Sequence, residues 1–516
     1  MARMPGFLRL LFTVALASAS SLDAAPVYVA IPIGSIGHAS SFAVAINDKG
    51  VMGGWYYDNN QMEHAFIYDG VVRSLGFPAE LRSYSLGINA KGAIAGFVWS
   101  ASVESRAFVH TDGDATFIGT LGGTRSEARG INASGWVTGR ADLSEAGTSH
   151  AFVYNGTMVD IDSSGGRYSI GYAINDAGMV TGEVEYPGNG PNAPVGRRAF
   201  LYSQGQMKVL GTLGGNGSAG TAINAQGDVV GSSTLAGESP LTRAFLYHGG
   251  VMTPIGPAGA YSSFAEGIND RGEVVGTYNA VVDDVLWRSF YHSGGADHDL
   301  DALMNPPMPG AQIHYAGGIN NLGQIAGVAC NATPACFAVR LDPVSITGSA
   351  STGVRVTAIE FHHAGFDHYF LSIDPVEIAA LDQGRFGGWV RTGESFDLYR
   401  EPVVGAAPVC RFFSDSFAPK SSHFYTSALA ECLGVLANPD WQFEGVRMFA
   451  PVPDATGACA AGGAPVFRLY NNGQGGAPAH RYTTSAATQT EMLARGWIRE
   501  GSGSDGVGLC AAASGP

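Results

Sequence analysis

Between Phe42 and Gly327 one phrase recurs seven times, Ile-Asn-x-x-Gly with a second glycine four residues on. The turn asparagines are Asn47, Asn89, Asn132, Asn175, Asn224, Asn269 and Asn320, at spacings of 42, 43, 43, 49, 45 and 51. A period of this length marks stacked supersecondary units, each unable to bury its apolar face alone, and not a string of independent domains.

Each unit carries a second phrase, a cationic residue, a small residue and an aromatic one: His64-Ala65-Phe66, Arg106-Ala107-Phe108, His150-Ala151-Phe152, Arg198-Ala199-Phe200, Arg243-Ala244-Phe245 and Arg288-Ser289-Phe290. The seventh copy is degenerate, Cys336-Phe337-Ala338. A third, short apolar phrase follows most copies, as in Met207–Gly215 and Thr116–Gly123. Asn at the first position of a type I turn accepts from the backbone, and Gly at the fourth takes positive φ, so Ile-Asn-x-x-Gly is a tight hairpin. The runs after it are β-branched and too short for helices.

Four strands per unit, with faces that need covering, predict a mainly β fold: a seven-bladed β-propeller. The seventh unit lacks its third phrase, and Val27–Gly37 supplies one at the other end, so an N-terminal strand is expected to close the ring. A solenoid would need capping ends, and none is visible. In the ring the six cationic residues are expected to tie neighbouring blades through backbone carbonyls.

The Ile-Asn-x-x-Gly turn, the His-Ala-Phe or Arg-Ala-Phe phrase and the Leu-Gly-Thr-Leu-Gly-Gly phrase together resemble the bacterial HAF-repeat extracellular proteins, over residues 27–341. That resemblance implies secretion and a repeat fold and supplies no activity or catalytic residues.

The N-terminus agrees. Arg3 and Arg9 precede the apolar run Leu10–Ala17, and Ala17-Ser18-Ala19 offers a small-x-small cleavage site, so residues 1–25 read as a signal peptide. No other stretch is long and apolar enough to span a membrane. A formal net charge of −15 argues against nucleic acid as a partner. Six cysteines suit an oxidising compartment, and of the fifteen possible pairings Cys330–Cys336, Cys410–Cys432 and Cys459–Cys510 are expected. Their loop closures are worth about 2, 3 and 4 kcal/mol.

The propeller is expected over residues 26–343, with a Ser-, Gly- and Thr-rich linker at 344–353. Beyond it a different unit occurs three times over 354–516. His368-Tyr369-Phe370, His423-Phe424-Tyr425 and His480-Arg481-Tyr482 are each followed by a helical stretch and then by a tryptophan four residues before a glycine, Trp389 and Gly393, Trp441 and Gly445, or Trp497 and Gly501. Ser427 and Ser485 are expected helix caps. This segment resembles a tandem-repeat domain of unknown function appended to secreted bacterial proteins, which implies an accessory binding role. The first copy departs from the others, with Glu360 where they have Arg411 and Arg468.

The candidate ligand contacts are His368, His423, His480, Asp367, Asp415, Asn471 and Asn472, while the tryptophans read as core. His362, His363, Asp367 and His368 are dense enough to raise the question of metal, but one histidine in the same slot of three repeats reads better as a repeated structural hydrogen bond. No nucleophile elbow, metalloprotease helix or phosphate loop is present, and Gly501–Gly506 matches a dinucleotide fingerprint without the strand–helix frame it requires. No cofactor is expected. The sequence reads as a secreted, monomeric, non-enzymatic repeat protein whose C-terminal module binds a cell-surface polysaccharide or protein. The alternative is a secreted propeller hydrolase or lyase acting on polysaccharide.

Overall fold

The computed structural model describes residues 25–34, 36, 40–186, 196–237, 241–280, 287–332, 335–344, 353–460 and 462–513. Nearly all of the leader, and the linker from residue 345 to 352, lie outside them.

Seven four-stranded antiparallel sheets follow one another along the chain. Blade one holds Ser41–Ile46, Met52–Tyr57, Glu63–Tyr68 and Val72–Ser74. Blade seven takes three strands from the end of the repeat region, Ala311–Ile319, Ile325–Asn331 and Cys336–Val344. Its fourth is Val27–Pro32, antiparallel to Cys336–Val344 with Val27 opposite Val344 and Pro32 opposite Val339. The expected N-terminal closure of the ring is therefore present. The third phrase divides differently from the sequence reading: Gln206–Gly211 is a fourth strand, whereas Gly214–Ile223 already opens the next blade.

The turn asparagines do more than shape hairpins. Asn132 Oδ1 accepts from the amides of Ser134 and Trp136 at 3.1 and 2.9 Å, and its Nδ2 donates to Asn175 O in the next blade at 3.1 Å. The same donation runs from Asn47 to Asn89, Asn89 to Asn132, Asn175 to Asn224, Asn224 to Asn269, Asn269 to Asn320 and Asn320 back to Asn47. Seven amides thus form a closed circle of hydrogen bonds around the axis. The Asn224 link is the longest, at 3.4 Å, and its Nδ2 is shared with Asp228. We expect Asn132→Ala, which loses one buried and two partly buried bonds, to cost roughly 2–4 kcal/mol. Asn224→Ala should cost clearly less. Equal losses in thermal melts of the two variants would show that the inter-blade bond contributes nothing.

A second set of inter-blade bonds, six in number, corrects the expected role of the cationic residues. His150 Nε2 approaches Gly166 O, and Arg198 and Arg243 donate to Asn216 O and Tyr261 O, all in the following blade. His64 and Arg288 instead meet Asp58 and Asp299 of their own blades, and Arg106 is exposed. The uniform link belongs to the next residue in the phrase. The amides of Ala65, Ala107, Ala151, Ala199 and Ala244 donate to the hydroxyls of Ser83, Ser126, Ser169, Ser218 and Ser263 in the next blade, and that of Ala338 to Ser41. Each phenylalanine of the phrase, from Phe66 to Phe337, is at most 1% exposed and fills the blade core.

The second glycine of each repeat has a steric cause. At Gly139, opposite a β-bulge, a Cβ would lie 1.9 Å from Glu127 O.

The C-terminal region comprises three strand–strand–helix–strand units. Arg355–His363, His368–Ser372, α1 (Pro375–Asp382) and Trp389–Tyr399 form the first. The second contains Ala406–Ser414, α2 (Leu429–Leu436) and Gln442–Pro451, and the third Ala464–Tyr470 and α3 (Ala486–Ala494). The first two units share one six-stranded sheet, and the third makes its own. Ser485 caps α3 by accepting from Thr488 N at 3.1 Å. Ser427 does not cap α2: the N-cap is Ala428, and the Ser427 hydroxyl donates to Gly508 O. The cysteines pair as Cys330–Cys336, Cys410–Cys432 and Cys459–Cys510.

This region packs directly on blade seven. Ile313, Leu300 and Met304 share a buried cluster with Phe412, Leu433 and Trp441, and Val29 and Ile31 share another with Val403 and Phe449. Gly405 N donates to Asn305 Oδ1 at 2.8 Å.

Candidate functional site: the mouth of the propeller

The hairpin geometry puts the asparagine circle at one end of the channel and the starts of the innermost strands at the other. Side chains at that second end are the ones that do not repeat. Four and two residues before each turn isoleucine stand Phe42 and Val44, Tyr84 and Leu86, Glu127 and Arg129, Ile170 and Tyr172, Ala219 and Thr221, Phe264 and Glu266, and Tyr315 and Gly317. In the second strands the residue after the bulge glycine is Trp55, Phe97, Arg140, Glu183, Ser232, Thr277 or Val328.

Aromatic and charged groups therefore gather over blades one to four. Phe42 stacks on Trp55 with centroids 5.6 Å apart, Trp55 meets Tyr84 edge-on at 5.5 Å, and Tyr84 stacks on Phe97 at 5.0 Å. Arg129 lies over Phe97 and Tyr172, Arg140 and Arg197 over Tyr168, and Arg82 over Trp99. Such contacts fix both partners, since a guanidinium over a ring face is electrostatically attracted and loses little freedom. Beside this ladder opens a cavity of about 570 Å³ lined by Phe97, Trp99, Arg125, Glu127, Arg140, Asp142 and Tyr168, among others.

The acids of the mouth are engaged one by one. Glu127 receives Arg140 at 2.5 Å and Arg129 at 2.9 Å, Glu183 receives Arg197 at 2.7 Å, and Glu63 binds Arg82. Burial raises the Glu127 carboxyl, but Arg140 and Arg129 outweigh it and hold the group below the ordinary range. Glu127 thus stands ionised between two arginines. The arrangement presents fixed donors and acceptors next to ring faces, with charges largely balanced.

The residues proposed from sequence in the C-terminal region sit elsewhere and do other things. His368 is 2% exposed, with Nδ1 against Ser421 O. His423 Nε2 is 3.6 Å from Glu444, and His480 Nε2 is 3.2 Å from Glu500, so the three histidines do not share one bond. Burial lowers all three, His423 to about 3, and they stand as neutral imidazoles against Phe366, Phe370 and Phe424. Asn471 is 5% exposed, its amide filled by Gln474 O, Ala477 O and the amides of Gly473 and Ala479, so it is a loop staple closed to ligand. Asp367 is held by Arg495 and His362. Asp415 and Asn472 are exposed. Trp441 and Trp497 are core, and Trp389 is half-buried against His363.

What does repeat in this region is an ionic clamp between units. Arg411 grips Glu377 of the first unit through two bonds of 2.9 Å, and Arg468 grips Glu431 of the second at 2.8 and 2.9 Å. The first unit inverts the sign: Glu360, fully buried, receives Arg481 of the third at 3.2 and 3.0 Å. Among the described residues no group of three or more His, Cys, Asp or Glu is arranged to hold a metal. No described helix is long and apolar enough to cross a membrane.

Fold and site define a seven-bladed propeller with an asymmetric aromatic mouth, carrying a disulfide-bonded repeat domain. Residues 361–505 match the family described as Domain of unknown function (DUF5648). No curated protein matches the chain. Among solved structures it is similar to the β-propeller domain of the trilobed protease from Pyrococcus furiosus, with a TM-score of 0.43, 11% identity, and coverage of 60% of this chain and 95% of that one. It is also similar to a gluconolactonase from Xanthomonas campestris, with a TM-score of 0.30, 9% identity, and coverage of 62% and 99%. For a polysaccharide lyase, an ulvan lyase, the values are 0.31, 12%, 59% and 92%. At these identities the likeness is one of fold.

Proposed function

We propose that this is a secreted glycan-binding protein of the HAF-repeat kind, whose ligand lies across the mouth of the propeller over blades one to four. The observation that carries the reading is the aromatic ladder from Phe42 to Phe97 beside a cavity of about 570 Å³. Ring faces take the apolar faces of sugars, and a small number of placed polar groups fix orientation. Because the arginines of the mouth already face carboxylates, a neutral saccharide suits the site better than an acidic one. Three disulfides and the leader-like residues 1–25 support secretion. The C-terminal domain, packed on blade seven, acts in this reading as a fixed accessory.

Binding of the protein to neutral and uronic-acid polysaccharides tests the reading, with Trp99→Ala and Trp136→Ala as variants. Trp99 is 36% exposed at the cavity, whereas Trp136 is 38% exposed on the opposite, asparagine-turn side. Trp99→Ala should weaken binding about tenfold, or about 1.4 kcal/mol, and Trp136→Ala should leave it unchanged. Equal effects of the two variants, or binding confined to acidic polymers, would exclude the neutral-glycan mouth.

A further inference from the structure

Below the ladder the channel narrows. Small residues before the turn isoleucines bring neighbouring innermost strands together: a Cβ on Gly130 would lie 3.1 Å from Ala173 Cα, and one on Gly267 3.0 Å from Gly318 Cα. At this level, one residue earlier, blade three presents Arg129 and blade six presents Glu266. Three of seven blades separate them, which puts their strands on opposite sides of the ring.

Both groups have unfilled hydrogen-bonding capacity. Arg129 gives one terminal nitrogen to Glu127, but its buried Nε has no partner among the described residues. Among the described residues Glu266 has one hydrogen-bond partner, Tyr315 Oη of blade seven, at 3.5 Å, the outer limit of a hydrogen bond. A carboxyl offers about four acceptor positions, and half-buried Glu266 leaves most of them open to the channel, at a position where other blades place Val44, Leu86 or Thr221. Nothing in blade packing requires an acid there.

We propose that Glu266 and Tyr315 form a binding station in the lumen that takes a hydroxyl of a sugar residue entering the channel, with the Arg129 guanidinium donating to an oxygen of the same residue from the other side. This rests on the glycan reading of the mouth and adds that the propeller holds a chain end inserted toward the axis. Burial lifts the Glu266 carboxyl to about 7, so near neutral pH it both donates and accepts, which is the complement of a hydroxyl group. Tyr315 remains protonated, because burial and the neighbouring Glu266 push its hydroxyl up.

Calorimetric titration of the protein with cello-, xylo-, manno- and chitohexaose provides the test. For the hexasaccharide that binds, Glu266→Ala and Tyr315→Phe should each weaken affinity, the former about tenfold, while Glu266→Gln, of the same shape and still able to donate and accept, should stay within about threefold. Near-UV circular dichroism of each variant checks that the channel is intact. If Glu266→Ala and Tyr315→Phe bind like the parent while Trp99→Ala does not, the ladder alone binds and the lumen station is overturned. If the parent binds none of the four, the glycan reading fails with it.

Discussion

Placing a carboxylate at Ile31 is expected to open the ring. Ile31 is 7% exposed, stands opposite Arg340 in the pairing that completes blade seven, and packs with Val344, Val403, Ala406 and Phe449. One side chain therefore serves both the closure of the propeller and the docking of the C-terminal domain. Ile31→Asp removes that apolar burial and places a charge among apolar groups, with an expected cost of at least about 4 kcal/mol. Ile31→Val, which keeps the surface and loses one methylene, should cost only about 0.5–1.5 kcal/mol. Thermal unfolding gives the stability change, and limited proteolysis should release a C-terminal fragment from the Asp variant at temperatures where the parent is intact. A variant that melts and resists protease like the parent would mean that Val27–Pro32 does not close the ring.

The ring and its closure were legible because they are built from what recurs. A hairpin that needs an acceptor side chain and a positive-φ glycine selects Asn and Gly at fixed offsets, and a missing seventh third strand must be supplied by another part of the chain. Some of the recurrence was visible and passed over. A serine stands five residues before the isoleucine in six of the seven repeats, from Ser41 to Ser263. It accepts the inter-blade bond that the sequence reading gave to the neighbouring cations. The alanine amide, lacking any side-chain signature, left nothing to read.

The mouth was hidden for the opposite reason. Trp55, Phe97, Arg140 and Glu183 occupy one structural position, but no two are alike, so a search for repeated phrases discards them. In a repeat fold the packing positions must agree and the lumen positions are free to differ, so asymmetry at a fixed offset is the signal for a site. The C-terminal histidines follow the same logic: three identical residues in one slot read as structural, and they are enclosed neutral imidazoles, although they do not share one hydrogen bond. Asn471, read as a loop contact, satisfies four backbone groups of its own loop. Sequence gives the loop but not the direction in which an amide points.

Glu266 offers the sharpest physical check on the lumen, through the pH dependence of stability. Its carboxyl, enclosed and with only Tyr315 acting on it, is lifted from 4.5 to about 7. Between those values the folded protein keeps a proton that the unfolded chain has released, so stability falls as pH rises through this window and levels off above it. A shift of this size corresponds to about 3 kcal/mol. Glu266→Gln has the same shape and no titration, so the variant should match the parent near pH 4 and exceed it by up to about 3 kcal/mol at pH 8. Asp301, lifted to about 6 by burial, tilts both curves in the same direction and cancels in the difference. Melting curves of the two proteins at pH 4, 6 and 8 measure it. A difference that does not change with pH would mean that the Glu266 carboxylate is well hydrated, and the lumen would then be an open water channel with no reason to select a sugar. A difference that grows as expected would mean that the channel wall withholds enough water from Glu266 to keep it protonated near neutral pH, the state in which it both donates to and accepts from a hydroxyl.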